Sequence, residues 1–294
     1  MTAISGLLIV DKPAGWTSHD VVAKIRKVAG TKRVGHAGTL DPMATGVLVV
    51  GVERATRLLG YLTLAEKEYA ATIRLGQTTD TDDADGAVIG SVAVTAVDDA
   101  ELLRAVSALT GQIKQVPPGV SAIKIGGQRS YRLARAGQPP ELAPRTVTVR
   151  EFAVTAVRPA DQVVDIDARV TCSSGTYVRA LARDLGAALG VGGHLIALRR
   201  TRVGPYLASE ARTLEQLTAE LGLIPLAVAA AAAFPRRDLT QAQAGAVAHG
   251  ARLDATGTGE QPVAAFAPDG TLVALLTDVD GQARSLCVFA SPGS

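Results

Sequence analysis

The residue whose type and setting best suit chemistry is Asp41, within "RVGHAGTLDPMATGVLVVG", Arg33 to Gly51. Pro42 disfavours the α region at the residue before it, so Asp41 is expected in an extended or turn conformation. A carboxylate held by a stiff loop at a strand edge could serve as a nucleophile or as a proton acceptor. An isolated Asp-Pro is more often a plain turn initiator, so the dipeptide alone decides nothing. Arg179 is the second residue of interest. It falls in the first turn of a helix expected to start near Thr176, where the macrodipole disfavours a cation, which implies an anion nearby. Tyr69 alternates with Ala71 and Ile73, and that spacing by itself reads as a core aromatic.

Other chemistries find little support. His19, His36, His194 and His249 lack i, i+4 or cysteine-paired spacing, so no metal site is expected. The two cysteines, Cys172 and Cys287, indicate neither a disulfide framework nor a zinc site. No Walker A string, no G-x-G-x-x-G after a strand and no G-x-S-x-G elbow occurs. No cofactor is expected. "TDTDDADG", Thr79 to Gly86, brushes against the calcium-loop pattern but places Thr81 and Val92 at ligand positions, so it reads as a polar loop between strands. A glycosidase using paired carboxylates is a competing class, but no second carboxylate stands in a setting comparable to that of Asp41. An RNA-binding module without catalysis is another.

Several elements must position these residues. Val47 to Val50 is continuously apolar and predicts a strand covered on both faces. "GLLIVDKPAGWTS" predicts a short strand, a turn, and a helix from about His19 to Val28 with Ser18 as a possible N-cap. "KEYAATIRLG" predicts a half-buried strand with Tyr69, Ala71, Ile73 and Leu75 on one face. "DDAELLRAVSALTG" predicts an amphipathic helix closed by Gly111. "QVVDIDARVTCSSGTYVRALARDLGAALG" predicts a strand, a turn and a helix closed by Gly190. The mixture argues for α+β architecture with a mixed sheet, not a regular βαβ winding.

The chain of 294 residues, 47% of them hydrophobic, is long enough for one large domain and a small one. Its first apolar run is cut short by Asp11 and Lys12, unlike a signal peptide, and no stretch is long enough to span a bilayer. A cytoplasmic location without membrane contact follows as the expectation. The formal net charge is +2, but it is unevenly spread. Residues 1–60 hold about 8 basic and 4 acidic side chains and residues 121–150 about 6 and 1, which suits a polyanion lying along one face.

The string Gly-His-Ala-Gly-Thr-Leu-Asp-Pro-Met-Ala-Thr-Gly-Val-Leu closely resembles the signature of the bacterial tRNA pseudouridine-55 synthases, the TruB family. The resemblance extends over most of Ile4 to about Val203. It implies that Asp41 is the catalytic residue and that Arg179, in "GTYVRALA", pairs with it and keeps it ionised at neutral pH. It also implies that Tyr177 belongs to the site wall, that Tyr69 stacks on the target base, that His36 fills the space of a flipped nucleotide, and that Leu198 is an apolar wall. Lys12 and Pro13 match a Lys-Pro motif of structural character. The implied fold is a pseudouridine synthase catalytic domain, residues 1–233, including a basic tRNA-binding insertion at 120–150 with Lys124, Arg129, Arg132 and Arg135. That insertion reads as a lid ordering on phosphates. Residues 234–294 look like a small PUA-type β domain with a hairpin turning at Asp269-Gly270. Its acidic balance suggests a modest share of affinity, so that its removal would spare the chemistry. The implied partner is the T-arm stem-loop of tRNA, with no protein partner required and a monomer expected.

Overall fold

The computed structural model describes residues 5–119 and 142–290, and the backbone of a short pair, Lys124–Ile125 against Gln128–Arg129. Of the predicted insertion residues, Arg132 and Arg135 therefore lie outside the described residues, and so do the side chains of Lys124 and Arg129.

Among the described residues, ten strands form one mixed sheet. Its main path runs Ile224–Pro225, Gly6–Lys12, Thr45–Val52, Gly193–Val203, Lys67–Leu75, Val163–Cys172, Arg145–Ala160, Gly111–Gln115. Every pairing is antiparallel except the contact of Thr45 and Gly46 with Arg199 and Arg200, which is parallel. The period-2 expectation for Lys67–Leu75 holds, with Tyr69, Ala71, Ile73 and Leu75 all buried.

Two boundaries differ from expectation, and the closure at Gly190 holds. Thr17, not Ser18, caps the helix Ser18–Ala29: its hydroxyl accepts from the Asp20 amide at 3.1 Å while the Asp20 carboxylate accepts from the Thr17 amide at 2.9 Å. Ser18 instead turns inward, donating to the Leu40 carbonyl at 3.1 Å and accepting from the Leu40 amide at 2.9 Å. The helix Asp99–Ala108 closes on Leu109, and Gly111, at φ +90°, opens the following strand. The Arg179 helix spans Val178–Ala188, with Gly190 left-handed two residues beyond.

The strand Thr45–Val52 divides two cores. Leu48 and Val50 face the first, with Val21, Ile25, Ile73, Leu181 and Leu185. Val47 and Val49 face the second, with Leu7 and Ile9, with Phe266, Leu272 and Leu275 of a five-stranded sheet formed by residues 236–288, and with Phe289 just beyond that sheet's last strand. The two-faced burial expected of Val47 to Val50 is thus real, and the C-terminal sheet supplies the second cover. The predicted hairpin at Asp269-Gly270 joins Val263–Phe266 to Leu272–Val279. Arg54 and Arg57 donate to the carbonyls of Phe289 and Val288 at 3.1 and 2.6 Å, and the Arg57 guanidinium lies over the Phe289 ring. These shared contacts tie the C-terminal portion to the catalytic part, so a cut after Phe234 would uncover apolar surface on the remaining chain. Four large apolar side chains would lose their cover, at roughly 1.5–3 kcal/mol each.

Candidate active site

The loop between Ala37 and Thr45 is fixed from several sides before its carboxylate is considered. Ser18 holds Leu40 from the helix, and the Gly15 amide donates to the Pro42 carbonyl at 2.9 Å. The fully buried Lys12 ammonium donates to the carbonyls of Pro13, Trp16 and Pro42 at 2.8, 2.6 and 3.2 Å. Its pKa is pushed down to about 8, chiefly by burial. Arg200, also buried, donates to the carbonyls of Val47 at 2.7 Å and Gly38 at 2.9 Å. Gly46 is at φ +96°, and a β-carbon there would collide with the Arg200 carbonyl, so only glycine fits this crossing.

Asp41 Oδ2 lies 3.0 Å from Arg179 Nε. Arg179 Nη1 reaches Asp83 Oδ2 at 3.1 Å and donates to the Thr81 carbonyl at 2.9 Å. The arginine and Asp83 side chains are 6% and 5% exposed, whereas that of Asp41 is 37% exposed. A buried cation thus sits between two carboxylates, and only the outer one meets solvent. Burial raises the Asp41 pKa above the ordinary carboxylate range; Arg179 opposes the shift, the Asp83 charge adds to it, and Lys12 weakly opposes it. The ion pair alone would move the carboxyl the other way, but partial removal from water outweighs it.

The family models that match the chain carry the descriptions TruB family pseudouridylate synthase (N terminal domain) over residues 26–178, tRNA pseudouridylate synthase B C-terminal domain over 179–224, and tRNA Pseudouridine synthase II, C terminal, over 234–290. The tRNA pseudouridine synthase B of Thermobifida fusca (strain YX) is 61% identical over 289 residues, covering 97% of this chain and 98% of the relative. That of Streptomyces coelicolor (strain ATCC BAA-471 / A3(2) / M145) is 59% identical over 295 residues, covering 98% of each. The chain belongs to the TruB family. It is therefore an isomerase, a pseudouridine synthase. A chain in the crystal structure of a Cbf5-Nop10-Gar1 complex aligns with a TM-score of 0.75 and 30% identity over 98% of this chain and 85% of that one.

Within this TruB-family site, the other expected residues take distinct places. Tyr69 is 7% exposed, in the first core, with its hydroxyl pKa raised by burial and, less strongly, by Asp41 among its charged neighbours. His36 Nδ1 is buried without a hydrogen-bond partner among the described residues. Its ring meets that of His19 edge-on at 5.6 Å, and burial, then His19 and Arg200, push its pKa down to about 4. Leu198 lines a cleft of about 490 Å³ with Met43, Thr45 and Arg199, a cleft whose lining does not include Asp41 or Tyr69. Tyr177 precedes the Arg179 helix, its backbone held at both ends by the Gln115 side chain at 2.8 and 3.1 Å.

Asp83 is a second carboxylate on the same arginine, though it is buried where Asp41 is half open. The loop read as merely polar carries it inward. Thr79 donates to its carbonyl at 2.8 Å, Thr81 and the Asp85 amide donate to its carboxylate at 2.5 and 3.1 Å, and Leu195 donates to the carbonyl of Asp82 at 3.1 Å. Asp82 in turn pairs with Arg183 at 3.0 Å. The available signal was the pair Arg179 and Arg183 near the start of one helix, four residues apart, asking for two anions. Arg200 was also missed, although it follows Leu198 by two positions and so shares its inward phase on the strand.

Proposed function

We propose that this enzyme converts uridine-55 in the T-arm of tRNA to pseudouridine without a cofactor, with Asp41 as the catalytic residue. The observation that carries the reading is the Asp41–Arg179–Asp83 arrangement, a half-open carboxylate backed by a buried cation. The target base must leave its stack to be reached, at a cost of a few kcal/mol. Tyr69 forms the floor the base meets, His36 stands in the space the nucleotide leaves, and Tyr177 and Leu198 belong to the walls. Asp41 acts on the ribose or base while the N1–C1′ bond breaks; the uracil rotates, C5 joins C1′, the C5 proton is lost to solvent, and N1 takes up a proton. Arg179 orients the carboxylate, and its buried partner Asp83 fixes the arginine. His36, neutral above its lowered pKa, places no charge beside the departing base.

Residues 1–233 serve as the catalytic unit and 234–294 as a PUA-like unit. The basic segment with Lys124, Arg129, Arg132 and Arg135 supplies phosphate contacts, and the enzyme works as a monomer. No helix among the described residues is long and apolar enough to cross a membrane, and work on tRNA fits a cytoplasmic location. A binding module without chemistry is disfavoured by the cost of burying Arg179 and Asp83 where only Asp41 gains. The test is tritium release from tRNA carrying 5-tritiated uridine, with the modified position mapped by carbodiimide and primer extension. Release from another uridine, or none, would overturn the assignment.

A further inference from the structure

Trp16 is the only tryptophan in the chain, and it is 37% exposed in a loop where Pro13 to Thr17 all face solvent. It belongs to none of the buried clusters. A single exposed aromatic is not by itself a site; what sets this one apart is its place, which two contacts give. Lys12 Nζ bridges the Trp16 and Pro42 carbonyls at 2.6 and 3.2 Å, and the neighbouring Gly15 amide donates to the same Pro42 carbonyl. Three residues after Trp16, His19 meets the ring of His36. The tryptophan loop is therefore fastened to the residue that follows Asp41, and the helix it leads into carries the histidine ring that meets His36.

We propose that Trp16 is a stacking platform for an RNA base flanking the target uridine. The inference rests on the reading of the substrate given above. Flipping one nucleotide out of a loop unstacks its neighbours, and an aromatic residue beside the Asp41 loop recovers part of that loss whatever the base identity, because every base presents a π-face. Its attachment to the Pro42 carbonyl fixes its position relative to Asp41, so the platform also sets how far the strand can be drawn past the carboxylate.

A solitary tryptophan is its own reporter. Adding a T-arm stem-loop to the full-length protein should quench its fluorescence, with the same midpoint as retention of the RNA on a filter. Trp16→Ala should weaken binding about five- to thirtyfold, in line with base–aromatic stacking, and Trp16→Phe should recover most of it. Unchanged thermal melting of both variants checks that the exposed loop, not the fold, was altered. The stem-loop with abasic sites on both sides of the target uridine should bind more weakly and leave the fluorescence undisturbed. Filter retention without quenching, quenching that persists with the abasic RNA, or wild-type affinity of Trp16→Ala would each overturn the stacking role while leaving the substrate reading intact. Failure of the wild-type protein to retain the stem-loop would overturn both.

Discussion

At the scale of single residues, the site is a line of alternating charge, Asp83, Arg179, Asp41, with solvent at one end only. Asp41→Asn should leave tRNA affinity within about tenfold, or ~1.4 kcal/mol, while abolishing turnover; a substantial residual rate in the tritium assay would count against its role. Arg179→Ala should lower turnover by on the order of 10²-fold or more, and affinity far less. Because Asp41 must be ionised to act and its pKa is raised, activity should rise with pH through an acid limb that lies above the range of an ordinary aspartate. Asp83 contributes to that elevation, so Asp83→Asn should move the limb to lower pH as well as reduce the plateau. Removing the cation with Arg179→Gln should move it to higher pH. Single-turnover rates at saturating tRNA across pH read both shifts, and limbs moving in the same direction would contradict the arrangement.

At the scale of elements, much was legible because local rules and tertiary demands agree. The alternation of Tyr69, Ala71, Ile73 and Leu75 names the buried face of one strand, and the apolar run Val47 to Val50 announces burial on both faces. What was illegible depends on distant partners. Ser18 looks like a cap until Leu40, far along the chain, takes its hydroxyl and leaves the role to Thr17. Asp83 looks like one of several loop aspartates until a helix almost a hundred residues later brings Arg179 to it. The capping box predicts that Thr17→Ala costs about 1 kcal/mol of stability, visible as a lowered urea midpoint. Gly46→Ala should cost at least about 2 kcal/mol, since it combines an unfavourable φ with a clash against the Arg200 backbone. An unchanged midpoint would mean that the crossing of the two parallel strands is looser than described.

At the scale of the whole molecule, the charge distribution and the cores make separate demands. Replacing Arg129, Arg132 and Arg135 by alanine should weaken tRNA binding and flatten its salt dependence by about two units of slope; an unchanged slope would remove the basic segment from the interface. Ending the chain at Phe234 strips Phe266, Leu272, Leu275 and Phe289 from the second core, a loss comparable to the ~5–15 kcal/mol that holds a domain together. That truncation should fail to melt cooperatively, and a stable, active fragment would contradict the shared core. The strand Thr45–Val52, dry on both faces from Val47 to Val50, carries one more consequence. Its amides pair within a sheet held between the helices of the first core and the C-terminal sheet, so they exchange with deuterium only when both layers come away, and the protection of Val47 to Val50 should match the free energy of opening the entire protein. Local fraying would then be no route to altering the register of Asp41: the enzyme would keep its aspartate in place or unfold altogether.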